Sequence, residues 1–137
     1  LLGLTGESLE NFANDYSYWD EMLDFATKAE PDLDWARVNI EASLPTFHAQ
    51  GAWLLGTDGR QIYGIVRGLD ESLTRLPAPG PALLARLQRE RFLHFFESTP
   101  FGLLEFRAAP LQPSDDAERR SPPRGWFIVA RLWDDSH

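Results

Sequence analysis

The sequence contains no cysteine. That excludes a disulfide framework, thiol catalysis and cysteine-based metal sites. It leaves the compartment open, because a small cysteine-free domain suits a bacterial periplasm as well as a cytoplasm. No run of about 18 apolar residues occurs, so nothing in the chain is long enough to cross a membrane as a helix. No signal peptide is visible. Basic residues are in the minority, 13 Lys and Arg against 21 Asp and Glu, for a net charge of −8. A nucleic-acid binder needs a basic stripe, and this chain has none. Its local basic cluster, Arg119, Arg120 and Arg124, sits among Ser and Pro and reads as a solvated loop.

Catalytic and metal signatures are missing as well. His48, His94 and His137 are far apart and form no ligand pair of the usual spacing. There is no nucleophile elbow, P-loop or dinucleotide fingerprint. Asp15, Asp20 and Asp24 share one segment, whereas paired catalytic carboxylates normally come from separate elements flanking a cleft. No enzyme activity, metal or cofactor is expected of this chain.

What is present is an ordinary globular composition, 43% hydrophobic and 25% charged, with five Trp and nine Phe for a core. At 137 residues, one domain spanning residues 1–137 is expected. The densest stretch is Asn14-Asp15-Tyr16-Ser17-Tyr18-Trp19-Asp20, followed by Met22, Leu23 and Phe25. Leu9, Phe12, Tyr16, Trp19, Leu23 and Ala26 step by three and four, which predicts a long helix over residues 7–28, broken or bent around Asn14-Asp15. Its stripe suits an intramolecular core or, by heptad-like spacing, a dimer seam. In that helix Asp20 projects beside Leu9, Ala13 and Tyr16 and is expected to be shielded from solvent. Such a carboxylate needs donors. It is either a structural Asp held by backbone N–H groups, Arg107 or Arg131, or a pocket residue that meets a ligand.

Further along, Pro31 ends the helix, and Asp32 or Asp34 caps a short second one through Trp35, Val38 and Asn39. Residues 42–47 form a turn interrupted by Pro45. Residues 52–56 and 61–66 flank Thr57-Asp58-Gly59-Arg60, a strong hairpin signal. After a connector at 68–79, a helix is expected from Pro81 to about Phe96, with His94 packed at its aromatic end. Residues 103–111 and 126–133 read as strands around a mobile loop at 112–125. The expected class is α+β, an antiparallel sheet of four or five strands with helices packed on it. Tyr16, Trp19, Trp35 and Tyr63 are aromatics with polar tips, suited to a core or a pocket wall. Arg107 and Arg131, on the two late strands, suit a carboxylate-bearing ligand or an ion pair.

The Asn14-Asp15-Tyr16-x-Tyr18-Trp19-Asp20 run, with Phe25, Trp35 and Asn39 after it, resembles the fourth class of the CHASE family. The resemblance is carried by residues 11–66; beyond them the order of elements matches. It implies an extracytoplasmic sensor domain of a bacterial membrane receptor, with a PAS-like fold of the Cache kind and the long N-terminal helix as a stalk. It also implies flanking transmembrane helices removed from this segment, which opens on Leu1 without Met. The output would be a cytoplasmic histidine kinase or a GGDEF/EAL cyclic-di-GMP enzyme. The candidate ligand contacts are then Tyr16, Trp19, Asp20, Trp35, Tyr63, Arg107 and Arg131. The partners implied are an unknown small molecule and, where the helix stripe serves as a seam, a second copy of the chain. In a receptor ectodomain the segments before Glu7 and after Trp133 should lie side by side, since both enter one membrane.

Overall fold

The computed structural model describes residues 2–77 and 81–133, with side chains of the first helix from residue 8 onward. The chain segment after Trp133 lies outside the described residues, and so does the expectation that the two ends meet.

The predicted N-terminal helix is two helices: α1, Leu2–Ser17, and α2, Asp20–Thr27. The break falls at Tyr18-Trp19, a few residues beyond Asn14-Asp15. Its cause lies in the last carbonyls of α1, which find partners outside the helix. The Asn14 carbonyl accepts from Ser17 Oγ and from Arg119, and the Ser17 carbonyl accepts from the Gln112 N–H. With those groups satisfied, the helix has no need to continue. Trp19 then turns extended and α2 begins with Asp20 and Glu21 in its first turn, where acidic groups favour the helix dipole. A third helix, α3, spans Leu33–Asn39 and is capped by Asp32, whose carboxylate accepts from the Trp35 N–H.

Strands β1, Gly51–Leu55, and β2, Gln61–Val66, form the expected hairpin. Gly59 takes φ 85°, and Asp58 accepts from the Arg60 N–H, so the Asp-Gly pair performs the turn. A connector carries a 3-10 turn at Glu71–Thr74 and leads to α4, Pro81–Glu90. Here a second expectation fails. The helix stops at Glu90, and Leu93–Thr99 is a strand, β3. Arg91 adopts a left-handed φ of 68°, and its guanidinium donates to the Arg119 and Ser121 carbonyls. That terminates the helix in the way a glycine commonly would. Beyond it, Leu93 and Phe95 point to one side and His94 and Phe96 to the other, the period of a strand. Strands β4, Gly102–Pro110, and β5, Trp126–Leu132, lie where the sequence places them.

The five strands make one antiparallel sheet in the order β2-β1-β5-β4-β3. The fold is α+β, as expected. Each face of the sheet has its own core. On one, α1, α2 and α3 cover Ala52, Leu54, Ala109, Phe127 and Val129. Leu9 and Phe12 are fully buried there, with Phe12 stacked on Phe47 and edge-on to Phe127. The helix stripe is therefore used inside the domain. On the other face, α4 and the 3-10 turn cover Trp53, Phe106, Trp126 and Ile128. Trp53 donates its indole N–H to the Leu73 carbonyl and crosses the sheet above Gly64, where a Cβ would strike the Thr74 carbonyl.

The loop at 112–125 has neither helix nor strand, but it is tied down by polar anchors instead of apolar ones. Gln112 is buried and donates to the Arg119 and Ser121 carbonyls. Asp116 accepts from the Arg120 and Ser121 N–H groups and the Ser121 hydroxyl. Arg119, expected to be solvated, is half-buried. Its guanidinium donates to Gln112 Oε1, the Asn14 and Pro110 carbonyls and Ser17 Oγ, at 2.6–3.0 Å. Arg120 and Arg124 remain exposed. We expect Arg119→Ala to lower unfolding free energy on the order of 2 kcal/mol, because it strands several oxygens shielded from water. Limited proteolysis should then cut within 112–125, where the parent resists. Equal cutting of the two proteins would show that the loop is not held by this side chain.

Candidate functional site

Four of the seven predicted site residues come together. Trp19 precedes α2, Trp35 is on α3, Tyr16 ends α1 and Tyr63 is on β2; all are half-buried. Trp19 packs against Trp35 with ring centroids 5.3 Å apart, and Phe25 stacks on Trp35 at 5.0 Å and meets Tyr63 edge-on at 5.6 Å. Tyr16 touches Trp19 at 5.5 Å and shares a 2.8 Å hydrogen bond with Ser43 Oγ. Of these rings, Trp35 and Phe25 line a surface cleft of about 170 Å³, together with Glu21, Asp24 and Lys28. The Trp35 indole donates to Glu21 Oε1 across the cleft wall. Burial, and secondarily the charge of Glu41, push the Tyr63 phenol up to about 12.

Asp20 does not join them, and it is exposed where shielding was expected. Because the helix stops at Ser17 and restarts at Asp20, the helical phase that placed Asp20 beside Leu9 and Tyr16 does not carry across the break. Its carboxylate accepts from the Ser114 N–H at 2.8 Å and the Ser114 hydroxyl at 2.7 Å. Neither Arg107 nor Arg131 touches it. It is a clasp between the start of α2 and the long loop.

Arg107 and Arg131 belong to a second group, on the α1 side of β4 and β5. Glu105, 3% exposed, faces Arg131 in register. It accepts from Arg131 Nε at 2.7 Å and shares a 2.6 Å contact with His94 Nε2. His94, placed on a helix by the sequence reading, sits on β3 opposite Arg107. Arg107 reaches Glu10 of α1 at 3.4 Å. Arg107, His94, Glu10, Asn14 and Phe92 are among the residues lining a cleft of about 210 Å³. Sequence reasoning missed Glu10, His94 and Glu105. The alternation of Leu93 and Phe95 with His94 and Phe96 was the available signal for β3; Glu10 carried none.

The CHASE4 domain family matches residues 2–137. The chain belongs to the CHASE4 family. CHASE4 domains are extracytoplasmic sensory domains, not catalytic ones. No curated protein matches the chain. Among the described residues of this CHASE4 domain, no helix is long and apolar enough to cross a membrane. Within it, the Tyr16-x-x-Trp19-Asp20 run divides its labour: the two rings join the aromatic group and the carboxylate fastens the loop.

Two titrations follow. The Ser114 N–H and hydroxyl hold the Asp20 carboxyl below its ordinary value of 3.8, and the Ser121 hydroxyl and N–H do the same for Asp116. A lowered folded value means a contribution present above the unfolded value near pH 4 and lost as pH falls through the folded one. Hydrogen exchange at residues 112–125 should therefore speed up below about pH 4 relative to the sheet. Asp116→Asn should exchange fast around Ser121 at neutral pH already and keep only the part of the acid step that Asp20 contributes; an unchanged profile contradicts the clasp. Separately, a tyrosinate absorbance titration should show one of the three tyrosines ionising near 12. That component should vanish in Tyr63→Phe.

Proposed function

We propose that this CHASE4 domain is the periplasmic sensor of a bacterial transmembrane receptor and that it binds a small molecule. Flanking transmembrane helices would carry the signal to a cytoplasmic histidine kinase or a GGDEF/EAL cyclic-di-GMP enzyme. The observation that carries this reading is the aromatic group at the helix junction. Tyr16, Trp19, Trp35 and Tyr63 come from separate parts of the chain and join, with Phe25, in one ring network, and Trp35 and Phe25 open onto a cleft with polar groups on its rim. A ligand bound against Trp35 touches α2 and α3, which pack on the sheet but are joined to α1 by an extended break. Differential affinity for two arrangements of that junction would shift their populations. The strand order β2-β1-β5-β4-β3 supports the PAS-like, Cache-like assignment. In this reading Trp35 is the aromatic that meets the ligand, with Tyr16, Trp19 and Tyr63 in the ring network behind it; Arg107 lines a different cleft, and Asp20 and Arg131 are spent on Ser114 and Glu105.

A second reading, a ligand-free structural or dimerisation module, draws on a different surface from the helix stripe. Phe96, Phe101 and Leu103 are exposed on and beside the β3 edge of the sheet. An exposed edge with apolar side chains invites pairing.

The two readings part in a thermal-shift screen with amino acids, organic acids and amines, followed by output assays on the full-length receptor. A ligand at one hundred times its Kd should stabilise the domain by about 2.7 kcal/mol. The same compound should change kinase or cyclase output, and Trp35→Ala should weaken both effects. A compound that stabilises the domain with output unmoved, or output that responds equally in Trp35→Ala, would sink this site. A monomer–dimer equilibrium broken by Phe96→Glu, with no ligand response, would favour the second reading.

A further inference from the structure

We propose that the cleft between α1 and the β3–β4 edge binds a small monocarboxylate, with Arg107 as the recognising cation and Glu10 as a resident competitor that the ligand displaces. That this occupancy signals rests on the sensor reading above; the site itself does not.

The argument begins with unequal treatment of similar groups. The chain withdraws several guanidiniums from water and satisfies most of them closely. Arg119 makes four bonds of 2.6–3.0 Å. Arg131 holds Glu105 at 2.7 Å, and Arg91 donates to two carbonyls at 2.9 Å each. Arg107 is the exception. Its side chain is only 23% exposed, and its Nε is shielded from solvent with no hydrogen-bond partner among the described residues. Its one contact there is Glu10 Oε2 at 3.4 Å from NH1, long against the roughly 2.7–2.9 Å of a good charge-assisted bond. A guanidinium offers five N–H groups in a fork shaped for a carboxylate, and this one uses a single arm weakly.

The nearest acid on the same strand cannot fill the gap. Both oxygens of Glu105 are taken, one by Arg131 and the other by His94. Glu10 can fill it only in part. It sits on α1 with its side chain 46% exposed, so much of its charge stays hydrated.

The cleft beside this fork has the right chemistry and size. Its volume of about 210 Å³ is below the roughly 300–1,000 Å³ of drug-sized sites, so it admits an acid of few heavy atoms. Phe92, Leu93 and Ala108 supply apolar wall for a short tail; Asn14 and His94 add polar groups. Two of these walls are anchored by one residue. Arg119 lies over the Phe92 ring at 5.0 Å and bonds the Asn14 carbonyl. A dianion such as phosphate is disfavoured: Glu10 is adjacent, and the chain carries a net charge of −8. A planar monoanion that replaces the Glu10 carboxylate on the fork meets neither objection. Its arrival removes the polar contact between Glu10 of α1 and β4, while the buried Leu9 and Phe12 and the Arg119 bonds keep the helix on the sheet.

The test uses the 137-residue chain with propionate and pyruvate as probes, propionamide as the uncharged isostere, and inorganic phosphate, all at matched ionic strength. The readouts are calorimetric titration and the arginine Nε–H resonances. Propionate or pyruvate should saturate and shift one Nε–H signal, absent in Arg107→Gln, while propionamide and phosphate should not. Glu10→Gln removes the competitor and should tighten binding roughly tenfold if Glu10 holds the fork about nine-tenths of the time. Arg107→Lys, which keeps the charge and guards against a folding defect in Arg107→Gln, should weaken binding at least tenfold because the fork is lost. Trp35→Ala should bind as the parent does. Three results would overturn the site: equal binding of propionamide, carboxylate binding retained in Arg107→Gln, or no saturable binding by Glu10→Gln up to tens of millimolar probe. If that happens while a compound acts through Trp35, the sensor reading stands without this site. Binding that requires Arg107 yet leaves the full-length receptor's output unmoved confirms the site and removes its sensory role.

Discussion

The Arg119 guanidinium is the point on which the arrangement of this domain depends. It reaches out of an irregular loop and donates to the end of α1, the end of β4 and the buried amide of Gln112. Its flat faces lie against Tyr18 and Phe92 at 4.9 and 5.0 Å. Burial pushes its pKa below the ordinary value, while the nearby Tyr18, Asp116 and Asp15 push it back up. A planar cation with many donors is the side chain best able to satisfy several carbonyls from separate elements at once. A lysine could supply the charge but not the geometry.

From that contact the rest follows in order. Because α1 ends on Arg119 and Gln112, the chain is free to turn at Tyr18-Trp19 and restart as α2. The restart swings Trp19 towards Trp35 and aims Asp20 at Ser114, so one junction builds the aromatic cleft and fastens the loop. Phe92, under the same guanidinium, stands at the entrance to β3 and brings His94 opposite Arg107. Two clefts thus flank a single polar junction, while the sheet beneath is sealed by two apolar cores. In a sensory domain that division is useful: packed cores are stiff, and hydrogen-bonded junctions are where alternative arrangements cost least.

The polar groups also differ in what holds them. Glu105 sits in a closed triad with Arg131 and His94, and Asp116 in a closed loop cap; both are fully occupied. Arg107 and Glu10 form an open pair, long and half-hydrated. Among the described residues, Glu105, Arg131 and Arg119 are withdrawn from water and closely bonded, whereas Arg107 is withdrawn, loosely bonded and lines a cleft, which is why the carboxylate site is assigned to Arg107 and not to Arg131.

What could be read from the sequence is whatever near neighbours determine. The Asp58-Gly59 turn, a cap at Asp32 or Asp34, strands at 103–111 and 126–133, and Tyr16, Trp19, Trp35 and Tyr63 as one set of aromatics follow from turn chemistry, capping, apolar runs and residue type, and the motif around Trp19-Asp20 pointed to the family. The tertiary structure decided the rest. The helix break at Tyr18, the exposure of Asp20, the burial of Arg119 and the pairing of Arg107 with Glu10 depend on partners 94 to 105 residues away. A helical period continues on paper until a residue forbids it, and none does between Ser17 and Asp20. What ends α1 is a guanidinium from the far end of the chain, and its position is set only when the sheet has assembled.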